Sequence, residues 1–137
     1  MNSELLYVFG TGNATVTNLY NTCFALRDGD EYFMVDAGGG NGILKILDNM
    51  QVPLEHIHHI FVTHAHTDHV LGIVWMVRMI ATKMKKDQYV GDAYIYCHSE
   101  LIETIRTLCR LTIQGKFYKM IGSRIFLVPV EDGETVH

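Results

Sequence analysis

The sequence predicts a mixed α/β sandwich, and three observations carry that reading. Two extended runs flank a tight Asp-Gly-Asp turn near the start of the chain. Strands then alternate with helical patterns to the end, the order expected when helices cover a sheet. The 137 residues are 48% apolar and 19% charged, enough to build one buried core and unlike a disordered chain. Eleven Lys and Arg against 15 Asp and Glu leave a net charge of −4. That balance suits non-specific nucleic-acid binding poorly, although it leaves room for a local basic patch.

Glu4–Phe9 reads as a strand, broken by Gly10, Gly12 and Asn13. Thr22–Arg27 and Glu31–Asp36 form a predicted hairpin around Asp28-Gly29-Asp30, where Gly supplies the positive φ of a tight turn. Gly38-Gly39-Gly40 follows. Asn41 is placed to cap a short helix with Ile43, Leu44, Ile46, Leu47 and Met50 as its apolar stripe, and Pro53 ends that unit. His58–Thr63 is a predicted buried strand. Val70–Lys86 reads as a long helix whose wide apolar face calls for burial on more than one side, with Lys83, Lys85 and Lys86 suiting its C-terminal dipole. Ala93–Cys97 is a strand, Ser99 a candidate cap for a helix to about Gly115, Phe117–Ile121 a second helical piece, and Arg124–Val130 a last strand.

Cys23, Cys97 and Cys109 make neither a CxxC pair nor a disulfide pattern, so they read as buried apolar groups in a reducing interior. The start, MNSELLYVF, has no basic region ahead of an apolar one. Arg78 breaks the apolar stretch Val70–Val77 far short of the ~20 residues that span a bilayer. The expected location is cytoplasmic, without a membrane partner.

Most of the chemistry lies in His64-x-His66-x-Asp68-His69, between a predicted strand and a predicted helix. Residues i and i+2 of an extended segment point to one side, so His64 and His66 aim both imidazoles at one point. Asp68 and His69 face the same cavity from the helix start. Three imidazoles and a carboxylate suit a borderline metal such as Zn²⁺. Asp68 also has the chemistry to hold or orient a water at the metal. His56, His58 and His59 lie at the other end of the strand and read as surface or strand-start residues.

At these residues the chain resembles the metallo-β-lactamase superfamily, whose signature is His-x-His-x-Asp-His between a strand and a helix. Gly10-Thr11-Gly12 with Asn18 and Asn21 resembles the first loop of the ribonuclease Z-like branch, and Val35-Asp36-Ala37-Gly38 the step before the first helix. Thr63, Gly72 and Ala93–His98 fit as well, with Cys97 where that branch has glycine. Three features differ from the tRNA-processing pattern: Thr67 replaces a glycine, Asn13-Ala14-Thr15-Val16 a Pro-Thr pair, and Gly38-Gly39-Gly40-Asn41 an acidic loop.

The resemblance implies an αβ/βα sandwich with its metal site at one edge. It implies two metals, usually zinc, with Mn²⁺ or Fe²⁺ as alternatives, and a bridging hydroxide that attacks an electrophilic centre. His64 and His66 would serve one metal, Asp68 and His69 the other, and Asp36 would stand behind them, accepting hydrogen bonds from a loop or a ligand histidine. The favoured substrate is a phosphodiester, RNA included; esters, thioesters, lactones and β-lactams are the alternatives. The family's remaining ligands follow in its C-terminal half, whereas after His69 this chain has only His98 and His137. Residues 1–137 are therefore expected to form a single domain that is incomplete at its C-terminus, resembling the family's N-terminal half. The competing reading is a non-catalytic metal-binding or interaction module. It would cover its open sheet face as a homodimer or against another chain.

Overall fold

The computed structural model describes residues 4–12, 20–63 and 67–133, with the backbone alone for residues 67–69. The chain runs through β1 (Glu4–Gly10), β2 (Cys23–Asp28), β3 (Glu31–Val35), α1 (Gly42–Asn49), a 3-10 turn (Leu54–His56) and β4 (Ile57–Phe61). It continues through α2 (Thr67–Lys85), β5 (Ala93–His98), α3 (Ser99–Thr112), α4 (Gly115–Tyr118) and β6 (Ile125–Val130). The six strands form one sheet in chain order. β1, β2 and β3 pair antiparallel, while β3 to β6 run parallel. The hairpin between β2 and β3 turns at Gly29, with φ +62°. The parallel part needs a crossover between successive strands, and α1, α2 and α3 supply them.

One face of the sheet is buried under the helices. Ala25, Met34, Ile60, Ile95 and Ile125 alternate inward and meet Ile73, Met76, Val77 and Ile80 of α2. These α2 residues recur at helical spacing, and half-buried Leu71, Val74 and Met79 widen the stripe. The helix packs against α1, α3 and α4, hence its burial on more than one side. The opposite sheet face carries Phe33, His59, Tyr94, Tyr96 and Phe126 as a run of stacked rings. Exposed Leu6 and Leu26 extend it toward the β1 edge.

Several boundaries differ from the sequence reading. β3 ends at Val35 because Asp36 turns to φ +57°. Asn41 sits at the start of α1 in a helical conformation and makes no side-chain cap, since capping needs an extended backbone that swings the side chain over the first turn. Met50 falls outside α1 and is exposed. α2 begins at Thr67, so Asp68 and His69 belong to its first turn. His98, not Ser99, caps α3: its side chain accepts from the Glu100 amide. That helix ends at Thr112 because Ile113 is extended.

The β4 histidines are not plain surface groups. His58 lies between Glu31 Oε1 at 2.6 Å and the Val90 carbonyl at 2.8 Å. His59 contacts the Tyr96 hydroxyl at 2.8 Å. The three cysteines are buried and unpaired. Burial pushes the Cys97 thiol up to about 11 and those of Cys23 and Cys109 to about 12. Lys83 pairs with Glu55 at 3.0 Å, consistent with a solvated helix end. No described helix is long and apolar enough to cross a membrane.

Candidate active site

The histidine motif joins β4 to α2 at the carboxyl end of the parallel strands. Open α/β sheets place ligands there, because the strands end and the connecting loops diverge. His64 and His66 lie outside the described residues, as do the side chains of Asp68 and His69. The backbone puts Asp68 and His69 in the first turn of α2, after a strand that ends just before His64. Among the described residues no group of three or more His, Cys, Asp or Glu side chains is placed to hold a metal. The motif's own donors, three imidazoles and a carboxylate, are chemically suited to Zn²⁺.

Behind the motif sits Asp36, 4% exposed. Its Oδ1 accepts from the Thr63 amide at 2.9 Å and its Oδ2 from the Thr63 hydroxyl at 2.6 Å. The Asp36 amide in turn donates to the Phe61 carbonyl at 2.8 Å. The residue immediately before His64 is therefore held from two sides by one buried carboxylate. The cost is a left-handed backbone at Asp36, a conformation that Asp tolerates better than most residues. These contacts are with the loop that leads into the motif; the motif's histidine side chains lie outside the described residues.

The segment after Asp36 is anchored as firmly. The Tyr20 hydroxyl lies 2.7 Å from the Ala37 carbonyl and 2.9 Å from that of Gly40. The Gly39 amide donates to Asn21 Oδ1 at 3.2 Å, and the Gly72 amide of α2 to the Gly38 carbonyl at 2.7 Å. Gly38 must lack a side chain, since a Cβ would lie 2.3 Å from the Tyr20 ring and its φ is +74°. Loops before β2 and after β3 and the start of α2 thus meet at residues 36–40. Asn21 and the glycine run were legible as signals; Tyr20 was missed, because a lone tyrosine carries no spacing pattern.

Burial pushes the Tyr20 phenol up to about 12. A folded-state value above the unfolded one of about 10 means stability present below pH 10 and lost as pH rises toward 12. Tyr20→Phe is expected to cost about 1 kcal/mol at pH 7 and to flatten the stability loss between pH 10 and 12. Urea unfolding at a series of pH values checks both; an unchanged alkaline slope would refute the assignment to Tyr20.

Next to Thr63 opens a cleft of about 350 Å³, lined among others by Phe61, Tyr96, His98, Glu131 and Asp132. It follows the carboxyl ends of β4, β5 and β6. His98 stands on this cleft, with Nε2 3.0 Å from Glu131 Oε2.

Residues 5–116 match the family model described as anti-Pycsar protein Apyc1. The chain belongs to this family. Over 117 residues this Apyc1-family chain is 24% identical to a ribonuclease Z from Phocaeicola vulgatus, covering 85% of the chain and 36% of that sequence. Over 96 residues it is 33% identical to a ribonuclease Z from Thermococcus sibiricus, covering 68% of the chain and 30% of that sequence. The chain therefore spans about a third of the length of these relatives. The metallo-beta-lactamase fold protein YhfI from Bacillus subtilis aligns with a TM-score of 0.73 at 18% identity, over 100% of this chain and 50% of its own. The Apyc1-family chain thus has a metallo-β-lactamase fold and is ribonuclease Z-like, in line with the sequence reading.

Proposed function

We propose that this chain carries the histidine-rich part of a metal-dependent hydrolase acting on a phosphodiester. The observation that carries the reading is the Asp36–Thr63 clamp behind His64-x-His66-x-Asp68-His69. A buried carboxylate that accepts two hydrogen bonds from Thr63 fixes the residue that precedes the first histidine. Rigid support of this kind is what metal ligands need. The phosphodiester choice draws on the two relatives named ribonuclease Z, which also make RNA a substrate to test.

In this reading His64 and His66 hold one metal and Asp68 and His69 a second, with zinc favoured and Mn²⁺ or Fe²⁺ as alternatives. Zinc, when bound, lowers the pKa of water and neutralises charge building on phosphorus. The Asp68 carboxylate would orient the attacking water. Asp36 holds Thr63, and Asp68 and His69 lie in the first turn of α2. A two-metal site takes more donors than the motif supplies, and we place them on a continuation of the chain or on a partner.

His64→Ala with His66→Ala is expected to remove zinc from the first site and to abolish turnover of bis(p-nitrophenyl) phosphate. Metal analysis after gel filtration reads this directly; undiminished zinc in the double variant would sink the assignment. The open sheet face, with Leu6 62% and Leu26 44% exposed, favours a second reading as an interaction module. The mass in solution, measured on the same sample, tests it: a dimer that binds zinc without turnover would select it.

A further inference from the structure

β5 lies between β4 and β6, so the tails of its two neighbours stand two strand spacings apart, about 10 Å. The Phe61–Thr63 tail forms one wall of the cleft, and the Glu131–Gly133 turn beyond β6 forms the other. β5 closes the space between them and leaves the sheet at His98, where α3 begins. Among the described strands β6 lies at the edge of the sheet, and Gly133 turns the chain with φ +79°.

His98 supplies support from two directions. Its Nδ1 accepts from the Glu100 amide at 3.3 Å, which leaves the ring proton on Nε2. Nε2 then faces Glu131 Oε2 at 3.0 Å. One imidazole thus ties the end of β5, the first turn of α3 and the segment after β6. Its side chain is 37% exposed and that of Glu131 59%, so the pair contributes little to overall stability. Its consequence is local: it fixes where the far wall stands relative to Thr63, and hence to the motif that Thr63 precedes.

We propose that His98 and Glu131 are positioning residues that hold the cleft wall opposite Phe61–Thr63, the segment that leads into the histidine motif, so that the substrate's non-reacting part seats in this cleft. This rests on the hydrolase reading above. The test uses the full chain loaded with zinc and bis(p-nitrophenyl) phosphate as substrate. His98→Ala is expected to raise KM about three- to fivefold, with kcat within about twofold and zinc content unchanged. Glu131→Gln should move KM the same way. His98→Gln keeps an acceptor for Glu100 and an N–H for Glu131, and should restore most of the loss. Hydrogen exchange at residues 131–133 should quicken in His98→Ala and return toward wild type in His98→Gln. An unchanged KM in His98→Ala, or an equal rise in His98→Gln, would overturn the proposal. If the wild-type protein, with the donors beyond the motif in place, binds zinc but turns nothing over, the hydrolase reading fails, and exchange at residues 131–133 decides the His98–Glu131 tie alone: faster in His98→Ala supports it, unchanged rejects it.

Discussion

Asp36→Ala is expected to destabilise the protein by about 2–4 kcal/mol and to weaken zinc binding by one to two orders of magnitude. The first number follows from what the substitution strands. The Thr63 amide and hydroxyl both donate to Asp36, in a pocket where that residue is 4% exposed. Thr63 itself is exposed, so water can reach its freed donors, and the loss is that of the hydrogen bonds to a charged acceptor, about 1.5–3 kcal/mol each at most. Alanine must also adopt φ near +57°, where its Cβ crowds the following carbonyl at a cost of about 1 kcal/mol. The second number is the usual size of an effect transmitted through a ligand's support.

Asp36→Asn separates the two contributions. Asn tolerates the left-handed backbone and keeps an acceptor for the Thr63 amide, and the Thr63 hydroxyl can turn to accept from the new amide group. It should therefore cost only about 1 kcal/mol and hold zinc better than the alanine variant. Urea midpoints and competitive zinc titrations give both series. If Asp36→Ala loses stability while zinc affinity stays at the wild-type value, the clamp serves folding alone.

The parts of the fold that follow repeating patterns were legible in the sequence. The hairpin at Gly29 and the apolar spacing of α2 follow from chain-local rules, since turn type and helical period are written in adjacent residues. His64, His66, Asp68 and His69 stood out because four ligand-type side chains in one short run have no other common physical use. Their strand–helix setting is what the backbone shows; their side-chain geometry lies outside the described residues.

What escaped depends on the backbone at an element's end or on contacts between distant segments. His98 caps α3 instead of Ser99 because the strand ends with the imidazole already turned back over the Glu100 amide. Asn41 looked like a cap by composition, yet its backbone is helical and its side chain makes no cap hydrogen bond. His58 looked like a surface residue until β3 and the loop at Val90 were brought against it. In each case the residue type was informative, and the partner, tens of residues away or set by one backbone angle, decided the role. Asp36 stands between the two classes. Its place in Val35-Asp36-Ala37-Gly38 marked it, whereas its grip on Thr63 came only with the parallel pairing of β3 and β4.

Gly72→Ala reverses the ordinary rule for helices. Alanine in place of glycine inside a helix normally stabilises by about 1 kcal/mol. At Gly72, in α2, the added Cβ would fall 2.0 Å from the Ala37 carbonyl oxygen and 2.7 Å from that of Gly38. Both obstacles are backbone, so the helix must move away from the Ala37–Gly38 segment and strain or break the Gly72–Gly38 hydrogen bond of 2.7 Å. The expected net effect is a loss of about 1–3 kcal/mol, the range for forcing volume into a packed interior. The displacement falls on the helix turns that carry Asp68 and His69, so zinc affinity should fall with stability. Gly115→Ala is the control: it starts α4, and a Cβ there meets nothing within 4 Å. That variant should keep wild-type stability and zinc binding. Equal stability of the Gly72→Ala and Gly115→Ala proteins would mean that α2 does not sit against residues 37 and 38 as described. A Gly72→Ala protein that loses stability yet binds zinc at full affinity would uncouple the packing of α2 from the metal site.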